Sequence, residues 1–223
     1  MNLPYHIGII MDGNRRWAKD KGLGSLAGHQ KGFETFEKIA RYCQKKGIKI
    51  LTVFAFSTEN WNRSKKEKDY LMKIFLSVFR KERIDELMKE KVKINVLGQK
   101  YRFSKQLQKK IQEIEDLTKD NTKFILNICL SYGGRADIIE AIKKIGEKKI
   151  TEDLISKNLW TQGLPDPDLI IRTGKEKRIS NFLIWQAAYA ELYFSDKHWP
   201  EFTEHDLDKA LKEYDERKRR FGK

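Results

Sequence analysis

Apolar residues along this chain fall into short unbroken runs and into helically spaced stripes, and the two alternate. Tyr5 to Met11 and Ile48 to Phe56 are runs rich in β-formers, as buried strands require. Between them Phe36, Ile39, Ala40 and Cys43 recur at helical spacing and Gly47 stands near the expected C-terminal cap, which makes one β-α-β unit. A helix is predicted from about Glu67 to Lys91, with Leu71, Ile74, Phe75 and Val78 on one face, and then a strand from Val92 to Leu97. Leu107, Ile111 and Ile114 mark a further helix, Lys123 to Ser131 a strand, Ile138, Ile139, Ile142 and Ile145 a helix, and Asp168 to Arg172 a strand. Strands that alternate with helices predict an α/β fold: a single domain, 1-223, with a mostly parallel central sheet and helices on both faces. No repeat or low-complexity linker marks a second domain.

In such sheets chemistry gathers beyond the C-terminal ends of the strands. The segments there are Asp12-Gly13-Asn14-Arg15-Arg16-Trp17, Ser57-Thr58-Glu59-Asn60-Trp61-Asn62-Arg63, Tyr132-Gly133-Gly134-Arg135 and Arg172-Thr173-Gly174. Asp12 comes directly after a strand, and Gly13 lets a ligand approach the backbone. A carboxylate beside paired arginines suits Mg2+ and a diphosphate held together, because metal and guanidinium neutralise the same oxygens. The plain alternative is an Asp-Gly turn that opens a solvated basic helix. Ser57 to Arg63 offers hydroxyls, a carboxylate and an amide, or else a polar loop with one packed aromatic. Arg172, Arg178 and Ser180 are candidates for one anion clamp, and two separate basic clamps suggest two phosphorylated substrates. His29, near the start of a helix behind Asp12, is a further phosphate candidate.

Charge narrows the partners without choosing among them. Lys and Arg total 46 against 32 Asp and Glu, a formal charge of +14, so diphosphates, acidic membranes and nucleic acid are all attracted. A basic RNA-binding α/β protein is one alternative, but no RNP-type aromatic strand or other nucleic-acid module is present, and no nucleic-acid partner is expected. Gly22-Leu23-Gly24-Ser25-Leu26-Ala27 has dinucleotide-fingerprint spacing, yet it begins well after the strand and no acidic residue ends the second strand. There is no Walker A sequence, and His6, His29, His198 and His205 lack zinc-ligand spacing. Cys43 and Cys129 sit in apolar patterns and are expected as reduced core residues. No apolar run approaches a membrane span and the N-terminus lacks a signal-peptide pattern, so a cytoplasmic location is expected.

Three long ordered segments carry a resemblance. Met11-Asp12-Gly13-Asn14-Arg15-Arg16-Trp17-Ala18, Phe56 through Arg63, and Pro165-Asp166-Pro167-Asp168-Leu169-Ile170-Ile171-Arg172-Thr173 continuing through Arg178-Ile179-Ser180-Asn181-Phe182 to Ala190-Glu191-Leu192-Tyr193-Phe194 resemble the cis-prenyltransferases, undecaprenyl diphosphate synthases among them. The likeness runs from Tyr5 to Gly222. It implies a Mg2+-dependent enzyme that condenses isopentenyl diphosphate onto an allylic diphosphate such as farnesyl diphosphate. The implied product is a polyprenyl diphosphate, the undecaprenyl carrier-lipid precursor for cell-wall synthesis. It also implies a homodimer, a hydrophobic tunnel for the growing chain, and transient contact with a membrane surface at product release.

Residue by residue, the resemblance assigns Asp12 to Mg2+ and the allylic diphosphate, with Gly13, Asn14, Arg15, Arg16 and His29 helping and Trp17 near the prenyl chain. Arg172, Arg178, Ile179 and Ser180 bind isopentenyl diphosphate, Glu191 is a second metal carboxylate, and Asn60 assists proton removal. Ser57, Thr58, Glu59, Trp61 and Arg63 shape the site between the substrates. Arg220 and Gly222 reach the isopentenyl diphosphate of the other subunit. Phe75, Phe79, Leu126, Ile128 and Leu130 are candidates to face the tunnel. Ser25 stands where the family commonly has arginine, Ser64 where it often has proline, and Gly174-Lys175 and Lys177 also depart, which loosens single assignments. A catalytically silent subunit of the same fold is the other alternative, although such a subunit would be expected to lose Asp12 or the arginine clamp, and both are present.

Overall fold

The computed structural model describes residues 2–78 and 80–217. Six strands, β1 (His6–Ile10), β2 (Ile50–Ser57), β3 (Val92–Leu97), β4 (Phe124–Tyr132), β5 (Leu169–Arg172) and β6 (Glu191–Phe194), form one sheet in the order β3-β4-β2-β1-β5-β6. Every neighbouring pair is parallel. All five residues of β1 are buried, as expected of a central strand covered on both faces. Strand order turns outward in both directions from β1, with β2 on one side and β5 on the other. The crevice beyond its C-terminal end is therefore where a doubly wound sheet places its ligand.

The helices are α1 (Asn14–Asp20), α2 (Ser25–Lys46), α3 (Lys65–Val78), α4 (Lys81–Lys89), α5 (Lys105–Thr118), α6 (Gly134–Ile145), α7 (Glu152–Ser156) and α8 (Glu204–Glu216). α2 stops where Gly47 takes φ +91°, a left-handed cap that a side chain would strain. Thr203 and Asp206 form the reciprocal capping box that opens α8. The single helix expected from Glu67 to Lys91 is two, because Arg80 is extended (φ −72°, ψ 146°). The apolar stripe explains the break. Continued past Val78, one helix would turn Glu82 and Asp85 inward; the re-phased α4 instead packs Ile84 and Leu87 on the core. β6 is a four-residue, half-buried strand, too short to stand out as an apolar run.

The main core lies on one face of the sheet, between the strands and α2, α3, α5 and α8, and includes Ile39, Leu71, Ile111 and Leu211. The other face is covered at its centre by the irregular segment carrying Phe182 and Leu183, against Ile10, Cys129 and Ile170. α6 and α7 form a smaller cluster of their own with Trp185. A buried polar chain also crosses the sheet: His6 Nε2 to Thr52 Oγ1 at 2.7 Å, Asn127 Nδ2 to Thr52 Oγ1 at 2.8 Å, and Asn95 Nδ2 to Asn127 Oδ1 at 2.8 Å. Cys43 and Cys129 are buried free thiols, and burial pushes Cys43 up to about 12. Among the described residues no helix is long and apolar enough to cross a membrane.

Candidate active site

β1 delivers Asp12 to the rim of the crevice, and its register with β5, Ile10 beside Arg172, brings a buried arginine to the same rim. The Arg172 guanidinium is forked. Nη2 lies 2.8 Å from Asp12 Oδ2, while Nη1 donates to Ser180 Oγ at 2.6 Å and to the Arg178 carbonyl at 2.5 Å. Arg16, one turn into α1, reaches the same Asp12 Oδ2 at 3.0 Å, and the Gly13 amide donates to Oδ1 at 2.6 Å. Burial opposes ionisation of Asp12, but the Arg172 hydrogen bond and the Arg16 and Arg172 charges prevail, holding its carboxyl below the usual value. Gly13 is required here: at φ +102° an added Cβ would sit 2.5 Å from His198 Nδ1. Thr173 fixes the loop by accepting from the Asp12 amide at 3.0 Å and donating to its carbonyl at 2.8 Å.

The sequence suggested two separate basic clamps; the structure joins them. Arg172 and Arg16 meet at Asp12, and Glu176 pairs with Arg16 at 3.0 Å and with Arg178 at 2.5 Å. Glu176 was missed because it sits between basic residues in a loop with no periodicity. Asn181 was missed for the same reason. With Ser180 (φ +46°) and Asn181 (φ +65°) both left-handed, the Asn181 side chain donates to Glu59 at 2.9 Å and accepts from the Arg135 amide at 2.9 Å. It thereby ties the loop that continues from Arg172-Thr173-Gly174 to two of the other rim segments.

His29 and Arg63 converge on Glu67, a buried carboxylate in the first turn of α3. Glu67 Oε1 lies 2.9 Å from His29 Nε2 and 3.1 Å from Arg63 Nη1. Burial lowers the His29 pKa against the Glu67 hydrogen bond, which favours the neutral ring. Glu67 was legible only as a helix-opening acid. Asn60 is engaged locally, its Oδ1 accepting from the Ser57 amide at 3.1 Å, and Ser57 and Asn60 both face the crevice. Trp61 turns into the core, with its ring edge-on to Phe56 and its Nε1 on Ser131 Oγ at 2.9 Å. It braces the segment. Thr58 packs beside Gly133, and Ile179 packs on the Phe182 cluster.

Two solvent-open hollows meet at Met11, Asp12 and Arg63. One, of about 770 Å³, is lined by Gly13, Asn14, Arg15, Arg16, Ser25 and His29; the other, of about 490 Å³, by Ser57, Glu59, Asn60, Arg172, Ser180 and Asn181. Met11, Asn14 and His29 also wall an apolar cavity of about 90 Å³ that runs between α2 and α3 to Phe75 and Ile128. A second apolar space of about 100 Å³ continues from Phe33, Phe36, Val78 and Ile128 to Leu126. Leu130 is buried core, and Trp17, half-buried, lies outside these walls. Phe79, Arg220 and Gly222 lie outside the described residues.

Glu191 is not brought to Asp12. It opens β6 opposite Leu169, which pairs with Ile7, five residues before Asp12. That separation is on the order of 16 Å along the strand direction. Its carboxylate is 2.8 Å from Arg217. Among the described residues no group of three or more His, Cys, Asp or Glu is disposed to hold a metal ion. What Asp12 offers is an ionised carboxylate whose Oδ1 carries one donor and retains acceptor capacity. This fits Mg2+ that arrives on a diphosphate and is held by one carboxylate plus phosphate oxygens.

An ionised acid among arginines beside an apolar cavity is an arrangement that suits a ligand with an anionic head and a greasy tail. The family model described as "Putative undecaprenyl diphosphate synthase" matches residues 10–222. Isoprenyl transferase of Fusobacterium nucleatum is 50% identical across 99% of this chain and 96% of its own, and that of Aquifex aeolicus 47% across 100% and 97%. The crystal structure of lavandulyl diphosphate synthase from Lavandula x intermedia in complex with dimethylallyl diphosphate superposes with a TM-score of 0.93 at 38% identity, covering 99% of each chain. That of a probable undecaprenyl diphosphate synthase from Campylobacter jejuni gives 0.83 at 35%, covering 100% of each. The chain belongs to the undecaprenyl diphosphate synthase family and is a cis-prenyltransferase.

Proposed function

We propose that this enzyme elongates an allylic diphosphate, such as farnesyl diphosphate, with isopentenyl diphosphate in the presence of Mg2+, forming a polyprenyl diphosphate that serves as undecaprenyl carrier-lipid precursor for the cell wall. One observation carries the reading: the Asp12–Arg16–Arg172 cluster stands where two polar hollows meet and where one of them opens, past His29 and Asn14, into the apolar cavities. An allylic diphosphate would lay its head on the α1 side, among Gly13, Asn14, Arg15 and Arg16, and its tail between α2 and α3. Isopentenyl diphosphate would occupy the other hollow, against Arg172, Arg178 and Ser180.

Breaking the allylic carbon–oxygen bond leaves charge on the diphosphate, and Mg2+ bound there supplies Lewis-acid neutralisation of those oxygens. Asp12 would hold the ion, with its acidity already set by Arg172 and Arg16. Arg16, which lines the α1-side hollow and is already oriented by Asp12, would need little reorganisation as that charge develops, while Arg172 holds Asp12 from the other hollow. Arg63 would orient the head at the mouth of the apolar cavity, held by Glu67, which the neutral His29 ring fixes in turn through its Nε2–H. Asn60 would orient the second substrate, with its side chain held by the Ser57 amide, and diphosphate or water would take the proton. The apolar cavities are read as the tunnel. The active unit is read as a homodimer whose sites receive Arg220 and Gly222 from the partner, acting in the cytoplasm with transient membrane contact at product release. The test is incubation with Mg2+, farnesyl diphosphate and labelled isopentenyl diphosphate, with product length resolved by chromatography. Elongated prenyl diphosphates are expected; none from several allylic starters would overturn the reading.

A further inference from the structure

The far end of the apolar cavity is walled in part by charged residues. Phe33, Phe36 and Ala40 of α2 face the cavity, but the neighbouring stripe of α2, Glu37, Arg41 and Gln44, meets Arg83 and Glu86 of α4 and its C-terminal cap residue Glu90. Glu37 pairs with Arg83, Arg41 Nη2 is 2.8 Å from Glu86 Oε2, and Gln44 Nε2 donates to the Glu90 carbonyl at 3.1 Å. Spacings of four and three on one helix against three and four on the other zip these pairs along a single seam. The Arg83 guanidinium also lies 5.0 Å from the Phe33 ring centroid, so the cavity's aromatic wall is itself held by the seam. All six polar residues wall the same space as Leu126 and Ile128.

A seam of this kind differs from an apolar floor. Its outer pair is largely solvated, with Arg41 59% and Glu86 41% exposed, and such pairs part at small cost because water takes up both ends. α4 is a nine-residue helix separated from α3 by the extended Arg80, a length that is marginal alone, so its position depends on what it touches. We propose that the α2–α4 polar seam is the adjustable wall of the chain-binding cavity, and that Glu37, Arg83, Arg41 and Glu86 set how long a hydrocarbon tail the site retains. A tail that passes Ile128 runs along the inside of the seam; tails up to that reach leave the pairs closed, and longer ones must part them.

This inference rests on reading the cavities as the tail-binding hollow, and a binding experiment separates the two. Saturated alkyl diphosphates of about ten to about twenty-four carbons are titrated calorimetrically with Mg2+ present. Affinity should rise by up to about fourfold per methylene while the tail enters apolar space, then level off where it meets the seam. In Glu37→Gln and Glu86→Gln, which remove charge at nearly constant volume, the levelling should move to tails longer by about one five-carbon unit. Glu37→Arg with Arg83→Glu should return it to the original length. Arg83→Met, which keeps an unbranched stem by Phe33, makes the same test should a glutamine variant melt early. A levelling point unmoved in folded variants overturns the seam and leaves the cavity reading standing. Affinity independent of tail length in the unaltered protein overturns both.

Discussion

Asp12 and Arg172, 160 residues apart in the chain, share a 2.8 Å hydrogen bond that closes the rim between β1 and β5. Arg172 is buried, with 6% of its side chain exposed, and Asp12 is its counter-charge. Asp12 therefore has two duties, and substitution should separate them. Asp12→Asn keeps an acceptor for Arg172 but removes the anionic ligand; turnover should fall by about 100- to 1,000-fold with a modest shift in melting temperature. Asp12→Ala leaves a buried guanidinium without its partner and should lose comparable activity and more stability. Steady-state rates with saturating Mg2+, beside thermal melts of both variants, check this. A loss under tenfold in Asp12→Asn would remove Asp12 from the metal role.

Arg178 is 60% exposed and its side chain meets Glu176, not Asp12. Arg178→Ala should leave the Asp12 cluster intact and raise the apparent KM for isopentenyl diphosphate well above that for the allylic starter. Equal changes in both constants would refute the division of the rim into two subsites.

Much of this was legible in the chain because parallel strands covered on both faces are written as uninterrupted apolar runs, and the residues just beyond the end of a run lie at the crevice. Asp12, Ser57 and Arg172 do line one hollow there. Two kinds of residue stayed hidden. Glu176 and Asn181 act from a loop whose left-handed residues have no sequence period, and Glu67 looks like any acid in a first helical turn. The position of Glu191 depended on β6 being a strand at all, and on its register, which sets it at the opposite end of the sheet from Asp12. Strand register is fixed by neighbours, not by the residues of a four-residue strand.

Gly28 and Gly32 are one turn apart on α2, and α1 lies against both. A Cβ on Gly28 would come 2.0 Å from the Asn14 carbonyl oxygen, and one on Gly32 would come 2.0 Å from Asn14 Oδ1. Gly32→Ala should therefore push Asn14 and the start of α1 outward, displacing Arg16 from Asp12. The expected overpacking cost is about 1–3 kcal/mol, with a fall in kcat/KM larger than stability alone explains. Gly24→Ala is the control: nothing lies within 4 Å of a Cβ there, so it should cost only the poorer N-terminal cap of α2 and leave kcat/KM little changed. Equal effects from the two substitutions would show that close packing of α1 on α2 does not position the site.

His6 makes stability depend on pH far from the active site. Its ring is buried in β1, with Nδ1 2.7 Å from the Pro165 carbonyl and Nε2 2.7 Å from Thr52 Oγ1. Nδ1 faces an acceptor and must carry the proton, so Nε2 accepts from the Thr52 hydroxyl, which leaves the Thr52 oxygen to accept from Asn127. A second ring proton would face the hydroxyl and break this chain. Burial accordingly lowers the His6 pKa from 6.5 to about 4, against the opposing pull of the Pro165 carbonyl and Asp168. Between those two values the unfolded chain binds a proton that the folded chain does not. The contribution is present in full above pH 6.5, is lost as pH falls toward 4, and changes no further once the folded form is also protonated. A shift from 6.5 to about 4 corresponds to about 3 kcal/mol over the whole window. His29, also lowered, and the carboxylates held ionised by arginine slope the same way, so the unaltered protein alone cannot isolate His6. His6→Asn can: an amide N–H replaces Nδ1–H toward Pro165, and nothing at that position titrates. Urea denaturation from pH 7.5 to 4 should show the variant less stable at neutral pH and the two proteins converging as the pH falls. A stability difference that stays constant across the window would mean that the His6 ring does not titrate with the fold.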